Sequence, residues 1–291
     1  MNGIILIDKP RDWTSHDVVG KLRGILGERR IGHSGTLDPM ATGLLTVFVG
    51  RATRAVEFAE ADSKEYIAGL RLGVSTDTQD ITGNILRQSD TVPDKVGLER
   101  VLDSFTGDIS QIPPMYSAIK VGGKKLYELA RRGVEVERKP RPVTIYELEL
   151  TENGGGEYGL RVVCSAGTYV RTLCHDIGER LGCGAVMSSL RRTRAGEYDI
   201  SQAVTIEELQ RRLDEGTADE LILPLDSLFK SYPVFTAGEA EQKKILCGAK
   251  FAASAADGRY RVYAPDGGFL MFGECVDGTM TSVKNFFEVT K

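Results

Sequence analysis

The stretch GHSGTLDPMATGLL, residues 32–45, sets one carboxylate, Asp38, among glycine, serine and threonine and in front of a proline. Two kinds of chemistry fit it. An Asp before Pro in such a segment makes an Asx-turn with its own backbone and does nothing more. Alternatively, His33, Ser34, Thr36 and Thr42 surround an active carboxylate with polar groups, and the glycines let another backbone come close. An aspartate with its ordinary pKa of about 3.9 is ionised at neutral pH, ready as a nucleophile or a base. The segment alone does not choose between the two.

Other chemistry-bearing sets are weaker. Asp77 and Asp80 in STDTQDITG look at first like a calcium loop, but the EF-hand spacing and the closing glutamate are missing. Cys164, Cys174, Cys183, Cys247 and Cys275 are odd in number and widely spaced, and with His175 they lack zinc-ligand spacing. Idle thiols and no metal site are expected. Neither a G-x-x-x-x-G-K-[ST] phosphate loop nor a dinucleotide fingerprint occurs, so no nucleotide cofactor is expected.

Charge adds a partner class. The formal net charge is −4, yet residues 1–200 balance 27 basic against 27 acidic side chains, and the excess of acid lies in residues 201–291. Within the balanced part, positive charge clusters in RGILGERR, KVGGKKLYELARRG, RKPRP and LRRTRAG. Four clusters in a neutral region point to a phosphate-binding surface. No run approaches the roughly 18 apolar residues of a membrane helix. The N-terminus MNGIILIDKP also lacks a basic n-region, so a cytoplasmic location is expected.

The elements that must position these residues follow from period and punctuation. GIILIDKP reads as a first strand, followed by a helix that Ser15 caps and Gly27 ends. TGLLTVFVG reads as a buried strand and RATRAVEFAEA as a helix. KEYIAGLRLG alternates, with Tyr66, Ala68, Leu70 and Leu72 on one side. Helices are expected near 94–105 and in KKLYELARRG, and strands near 142–150 and 158–164 around a hairpin loop, ENGGGE. GTYVRTLCHDIGERLG opens a helix with Val170, Leu173, Cys174, Ile177 and Leu181 on one face. Acidic helices follow in TIEELQRRLDEG and ADELILPLDSL, then short β-like pieces after Pro233. Without a strict βαβ rhythm the class is α+β, with one unit over 1–230 and a small β-rich unit over 231–291.

Five segments in order then resemble the motifs of the TruB family of pseudouridine synthases, which convert the T-loop uridine of tRNA, position 55, to pseudouridine. They are DKPRDWTSHDVV, GHSGTLDPMATGLL, KEYIAGLRLGVSTDTQDITG, PPMYSAIKVGGKKLYELARRG and VVCSAGTYVRTLCHDIGERLGCGAVMSSLRRTRAG, and together they span roughly residues 1–200. The resemblance implies a pseudouridine synthase core, a mixed, mainly antiparallel sheet flanked by helices, and a PUA-like RNA-binding domain behind it.

Roles carry over by position. Asp38 matches the catalytic aspartate, Arg171 the arginine paired with it, and Tyr66 the tyrosine that packs on the flipped uracil. Tyr169 and Leu190 match lining positions, and His33 a histidine near the target base. Lys9 and Pro10 belong to the first motif, which supports the active-site loop, and Lys64, Lys120 and Arg131 are expected on phosphate. Each also allows a structural reading: Arg171 as an exposed first-turn arginine, Tyr66 as core, the basic residues as solvated surface. Asp12 departs from the family, standing where glycine is frequent; if positive φ is needed there, Asp tolerates it well.

The implied reaction breaks the C1′–N1 bond, turns the uracil and joins C5 to C1′, without cofactor or metal. The implied partner is the T-arm stem-loop of tRNA, bound by a monomer with no guide RNA, protein partner or membrane. Two other readings share the scaffold: a non-catalytic RNA-binding or RNA-folding protein, and a guided enzyme of small ribonucleoprotein particles.

Overall fold

Alternation builds the strand that carries Tyr66. Lys64, Tyr66, Ala68 and Leu70 are buried along one side of it, as a side-chain period of two requires, and it sits inside a nine-stranded sheet. The computed structural model describes residues 1–60, 63–152 and 157–287.

In chain order the strands are β1 (Gly3–Lys9), β2 (Ile31–Ser34), β3 (Thr42–Val49), β4 (Lys64–Leu72), a side hairpin of β5 (Val74–Thr76) and β6 (Ile85–Gln88), and β7 (Gly107–Gln111). A second small hairpin, β8 (Lys120–Val121) and β9 (Lys124–Lys125), precedes β10 (Arg141–Glu152), β11 (Tyr158–Cys164), β12 (Ala185–Ala195) and β13 (Tyr198–Asp199). The main sheet runs β1-β3-β12-β4-β11-β10-β7, with β2 on β3 and β13 on β12. Within it β3 and β12 pair in parallel and the other pairs are antiparallel. The expected α+β class with a mixed, mainly antiparallel sheet is what the chain adopts.

The helices are α1 (Ser15–Leu26), α2 (Val56–Glu60), α3 (Lys95–Leu102), α4 (Leu126–Ala130), α5 (Val170–Leu181), α6 (Ile206–Asp214) and α7 (Glu239–Leu246). Leu98, Leu102, Leu173, Cys174 and Ile177 of α3 and α5 pack in one cluster with Tyr66, Ala68, Leu70 and Leu160 of the sheet. Val18, Leu22 and Leu209 of α1 and α6 pack on Ile5, Ile7 and Val47. Each fully buried aliphatic side chain of this kind contributes about 1.5–3 kcal/mol. Gly43 opens β3 at a φ of +99°, and a Cβ there would lie 2.3 Å from the Arg192 carbonyl oxygen of β12. A side chain at this position would push β12 away from β3, the strand that follows the Asp38 loop.

Several local expectations change. The cap of α1 is Thr14, in a capping box with Asp17. Ser15 is instead buried and its hydroxyl accepts from the Leu37 N–H at 2.9 Å. RATRAVEFAEA opens as a 3-10 stretch over Gly50–Ala55 before α2 begins. ADELILPLDSL forms two 3-10 turns, Ala218–Leu221 and Leu225–Phe229, rather than one helix. Pro224 disfavours the helical region for Leu223, which pairs with Ile4 through both backbone groups. The ENGGGE hairpin loop falls largely on 153–156, outside the described residues.

Beyond residue 233 a second sheet forms from β14 (Val234–Thr236), β15 (Phe251–Ala252), β16 (Gly258–Tyr263), β17 (Phe269–Val276) and β18 (Thr279–Asn285), in the order β14-β16-β17-β18-β15. It docks through an aromatic cluster. Phe229 stacks on Phe272 at 4.4 Å, and Phe58 meets both edge-on at 5.3 and 5.5 Å. Ile4, Leu6, Leu44 and Phe48 of the main sheet belong to the same cluster, and Lys284 pairs with Glu57 at 2.7 Å. No helix among the described residues is long and apolar enough to cross a membrane.

Candidate active site

The Asp38 loop runs from β2 to β3 and is held from beneath. Leu37, Met40 and Ala41 are buried, which explains the apolar end of the segment. The Ser15 hydroxyl fixes the backbone of Leu37. Lys9 is fully buried, and its ammonium donates to the carbonyls of Pro10 (2.9 Å), Trp13 (2.6 Å) and Pro39 (3.3 Å). The Asp12 N–H donates to the Pro39 carbonyl at 2.8 Å, and Asp12 does take the left-handed conformation, with φ +66°. Asn and Asp bear that conformation better than most residues. The first motif is thereby tied to the loop at three places.

Asp38 uses its carboxylate outside its own turn. The Ala41 N–H donates to the Asp38 carbonyl at 3.0 Å, while the side chain faces Arg171 of α5. Arg171 Nη2 lies 3.1 Å from Oδ2 and 3.3 Å from Oδ1 of Asp38, and it donates to the Tyr116 carbonyl at 2.7 Å. Its Nη1 lies 3.7 Å from Asp80 Oδ2. The Arg171 side chain is 7% exposed and that of Asp38 is 34% exposed. The arrangement is thus a buried cation with one carboxylate behind it and another at the opening. A cation in the first turn of a helix opposes the helix dipole, and two carboxylates and a carbonyl compensate here. Removing one partner from such a buried pair costs about 3–5 kcal/mol.

Burial pushes the Asp38 carboxyl above its usual range; Arg171 opposes that push, Asp80 adds to it and Lys9 opposes it. Lys9 is itself lowered to about 8 by burial, against the pull of Asp38 and Asp12. It remains mainly charged at pH 7.

Tyr66 points from β4 into the same place. It is buried, burial raises its phenol above the usual value, and the nearby Arg192 opposes that rise. In the β4–β12 register Tyr66 faces Arg192 and Ala68 faces Leu190, so Tyr66 and Leu190 are neighbours in one cluster with Leu37, Met40 and Ala41. Arg192 is 1% exposed and its Nε donates to the Leu44 carbonyl at 2.7 Å. Tyr169 is the N-cap residue of α5. Its N–H donates to Gln111 Oε1 at 3.0 Å, and its carbonyl accepts from Gln111 Nε2 at 3.3 Å. His33 lies on β2, edge-on to His16 at 5.4 Å between ring centroids. Burial, then the proximity of His16 and Arg192, lowers it to about 4, so it is neutral at pH 7.

Of the expected residues, the fold brings Asp38, Arg171, Tyr66 and Leu190 into one cluster, with Lys9 and Pro10 beneath the loop. One of the expected phosphate contacts sits elsewhere: Lys64 is buried, with its ammonium donating to the Ala59 carbonyl at 3.3 Å. Lys9, expected only as part of the motif that supports the loop, is spent on three carbonyls. Both hold loops from inside, because a charge in sequence does not reveal which side of a strand it faces. Lys120 and Arg131 are exposed on the arm that follows Tyr116, where Arg131 and Lys125 flank the Tyr127 ring at 5.5 and 5.4 Å.

Three contributors were missed. Asp80 is 7% exposed and accepts from Thr78 Oγ1 (2.9 Å), Thr82 N–H (2.9 Å) and Thr82 Oγ1 (2.6 Å). Its setting of threonine and glycine is the same signal that marked Asp38, and reading STDTQDITG only as a failed calcium loop hid it. Arg192 shares a strand face with Leu190, a spacing that could have exposed it. The Tyr116 carbonyl leaves no mark in a sequence.

Comparison with known proteins agrees with this geometry. The family described as TruB family pseudouridylate synthase (N terminal domain) matches residues 23–170, and the tRNA pseudouridylate synthase B C-terminal domain matches residues 171–230. The tRNA pseudouridine synthase B of Geobacillus kaustophilus is 44% identical over 279 residues, 92% of this chain and 98% of that one. That of Syntrophotalea carbinolica is 48% identical over 236 residues, 80% of this chain and 76% of the other. Among solved structures, one of a Cbf5-Nop10-Gar1 complex superposes with a TM-score of 0.76 at 27% identity, covering 99% of this chain and 85% of that one.

Proposed function

The chain belongs to the TruB family of pseudouridylate synthases, and from that membership we propose that it isomerises the T-loop uridine of tRNA, position 55, with Asp38 as the catalytic carboxylate. It is an isomerase that forms pseudouridine in tRNA.

The observation that carries the assignment to Asp38 is its ion pair. One carboxylate is 34% exposed at the mouth of a site whose arginine is 7% exposed, so it is aimed and reachable. The uridine is swung out of the T loop, where unpaired bases are splayed at low cost. Tyr66 packs on the extruded uracil with Leu190 beside it. Asp38 acts while the C1′–N1 bond breaks, the uracil turns, C5 bonds to C1′ and the hydrogen on C5 leaves. Arg171 keeps Asp38 oriented through charge-assisted contacts, and Asp80 keeps Arg171. His33, neutral, and Tyr169 line the approach.

The partner is the T arm alone, bound by a monomer without guide or protein helper. Lys120 and Arg131 reach its phosphates from the arm after Tyr116, and residues 231–291 form a PUA-like unit that adds RNA contacts to a catalytic unit over 1–230. The guided reading is supported by likeness to the Cbf5 complex at 27% identity; the relatives at 44 and 48% identity favour the unguided one. A non-catalytic role would leave the Asp38–Arg171 pair without a purpose.

A T-arm hairpin tritiated at C5 of its uridines tests the reading, because forming the C5–C1′ bond expels that hydrogen. Tritium release by the native chain, abolished in Asp38→Asn, is the expected result. Tight hairpin binding with no release from the native chain would sink the assignment.

A further inference from the structure

Arg171 depends on Asp80, and Asp80 sits in a turn whose own position needs a cause. The turn covers residues 76–83. Thr76 Oγ1 donates to the Asp80 carbonyl at 2.7 Å, and the Asp80 carboxylate gathers Thr78 and Thr82 as described. Immediately before Asp80 stands Gln79, with a φ of +66°. That left-handed region is strained for a residue with a side chain, and such strain persists where the surroundings over-determine the conformation. Here the Gln79 N–H donates to the Thr76 carbonyl at 3.3 Å, and the Gln79 carbonyl accepts from the Met187 N–H at 3.2 Å.

The side chain adds a longer-range tie. Thr172 Oγ1 donates to Gln79 Oε1 at 2.8 Å. Thr172 is 2% exposed and directly follows Arg171 in α5. Two successive residues of the helix are therefore held by two successive residues of the turn: Arg171 by Asp80 at 3.7 Å, Thr172 by Gln79 at 2.8 Å. The neutral contact is the shorter. One side of the turn faces a solvent-open cleft of about 180 Å³, walled by Thr76, Asp77, Gln79, Pro114, Met115 and His175. On that side hydrogen bonds rather than close packing hold the turn, while on the other the Ile81 N–H donates to the Met187 carbonyl at 2.9 Å.

We infer that Gln79 is a positioning residue for the isomerisation: its amide, latched onto the Thr172 hydroxyl, fixes the turn that presents Asp80 to Arg171 and so fixes Arg171 against Asp38. This rests on the reading of Asp38 and Arg171 given above. A left-handed residue at this place also turns the chain so that side chain 79 reaches the helix while side chain 80 reaches the arginine. Losing the latch leaves every charged group present but lets the pair drift, and displacements of about 1 Å at a reacting centre cost up to roughly 10²-fold in rate.

Thr172→Val is the first variant, since it removes the hydroxyl and keeps the shape; Thr172→Ser restores the hydroxyl. Gln79→Gly removes the amide while retaining easy access to positive φ. Tritium release from the T-arm hairpin is followed in single turnover and across pH, with KM measured separately. Thr172→Val and Gln79→Gly are expected to lose roughly 10- to 100-fold in kcat with KM within about twofold, and Thr172→Ser to stay near native. The acid limb of the rate profile moves to higher pH in the two slow variants, because a looser Arg171 opposes the burial of Asp38 less. Native kcat and an unmoved profile in Thr172→Val overturn the latch, as does an equal loss in Thr172→Ser, which assigns the effect to packing. If the native chain releases tritium and Asp38→Asn does not, those failures concern the latch alone. A native chain that releases none overturns the latch together with the reading beneath it.

Discussion

Two arginines of this protein each grip several carboxylates, and they teach opposite lessons about distance. Arg161 on β11 reaches Glu65 at 2.7 Å, Glu149 at 3.2 Å and Glu147 more closely still. Arg171 reaches Asp38 at 3.1 Å and Asp80 at 3.7 Å. By contact length Arg161 has the better network. Its side chain is 27% exposed, however, and Glu147 and Glu149 are half-exposed or more. Water screens that network, and exposed pairs contribute up to about 1 kcal/mol each. Arg171 has almost no water, so its two longer contacts are the ones the molecule cannot lose.

Four experiments strain that contrast, beginning where the effect is largest. Asp38→Asn should reduce tritium release more than about 10³-fold, whereas Glu147→Gln, which removes a shorter ion pair from Arg161, should leave the rate within about twofold. Comparable losses would mean that burial is not what separates the two sites. Arg171→Met should lower the unfolding free energy by about 3–5 kcal/mol, since it strands the largely buried Asp80 carboxylate; chemical denaturation reads this directly.

The third prediction concerns His33, where burial acts on a single group. Its pKa falls from 6.5 to about 4 on folding, so between those values the unfolded chain binds the proton that the folded chain refuses. Stability contributed by keeping His33 neutral is intact above pH 6.5 and drains away as pH falls toward 4, by up to about 3 kcal/mol. His33→Asn should flatten the acid side of the stability profile, and an unchanged slope would contradict the burial assigned to this ring. The smallest effect belongs to Arg161→Met. Despite three carboxylate partners it should cost at most about 1–2 kcal/mol, shrinking as salt is added.

The same contrast explains what was legible in the sequence. β4 and α5 were readable because their apolar residues recur at the period of the element, which set Tyr66 on a strand and Arg171 in a helix's first turn; only the family motifs set the two beside Asp38. Asp38 was visible as an acid in a setting of small residues, though only the family motifs raised it above an Asx-turn. Charge was the poor guide. Lys64 read as a phosphate contact and is a buried staple, while Asp80 read as an abandoned metal ligand and sits against Arg171. Whether a charged side chain faces water or a partner is decided by strands and turns distant in the chain, and no local pattern records it. The cap of α1 shows the same limit at short range. Thr14 and Ser15 are both capping residues, Ser the stronger by type, yet Thr14 takes the cap while the Leu37 N–H, from another segment, occupies the Ser15 hydroxyl.

The aromatic joint between the two sheets has a bearing on how an RNA is measured. Phe58, Phe229 and Phe272 interlock across the junction, and Lys284 is clamped to Glu57. Such a joint works like a caliper whose jaws have been locked: the packed rings and the ion pair set the span from the surface of the second sheet to Asp38. On the proposed reading, in which the second sheet adds RNA contacts, an RNA that touches both ends must supply the matching length in its own helix, so selection becomes a question of gauge as well as of base identity.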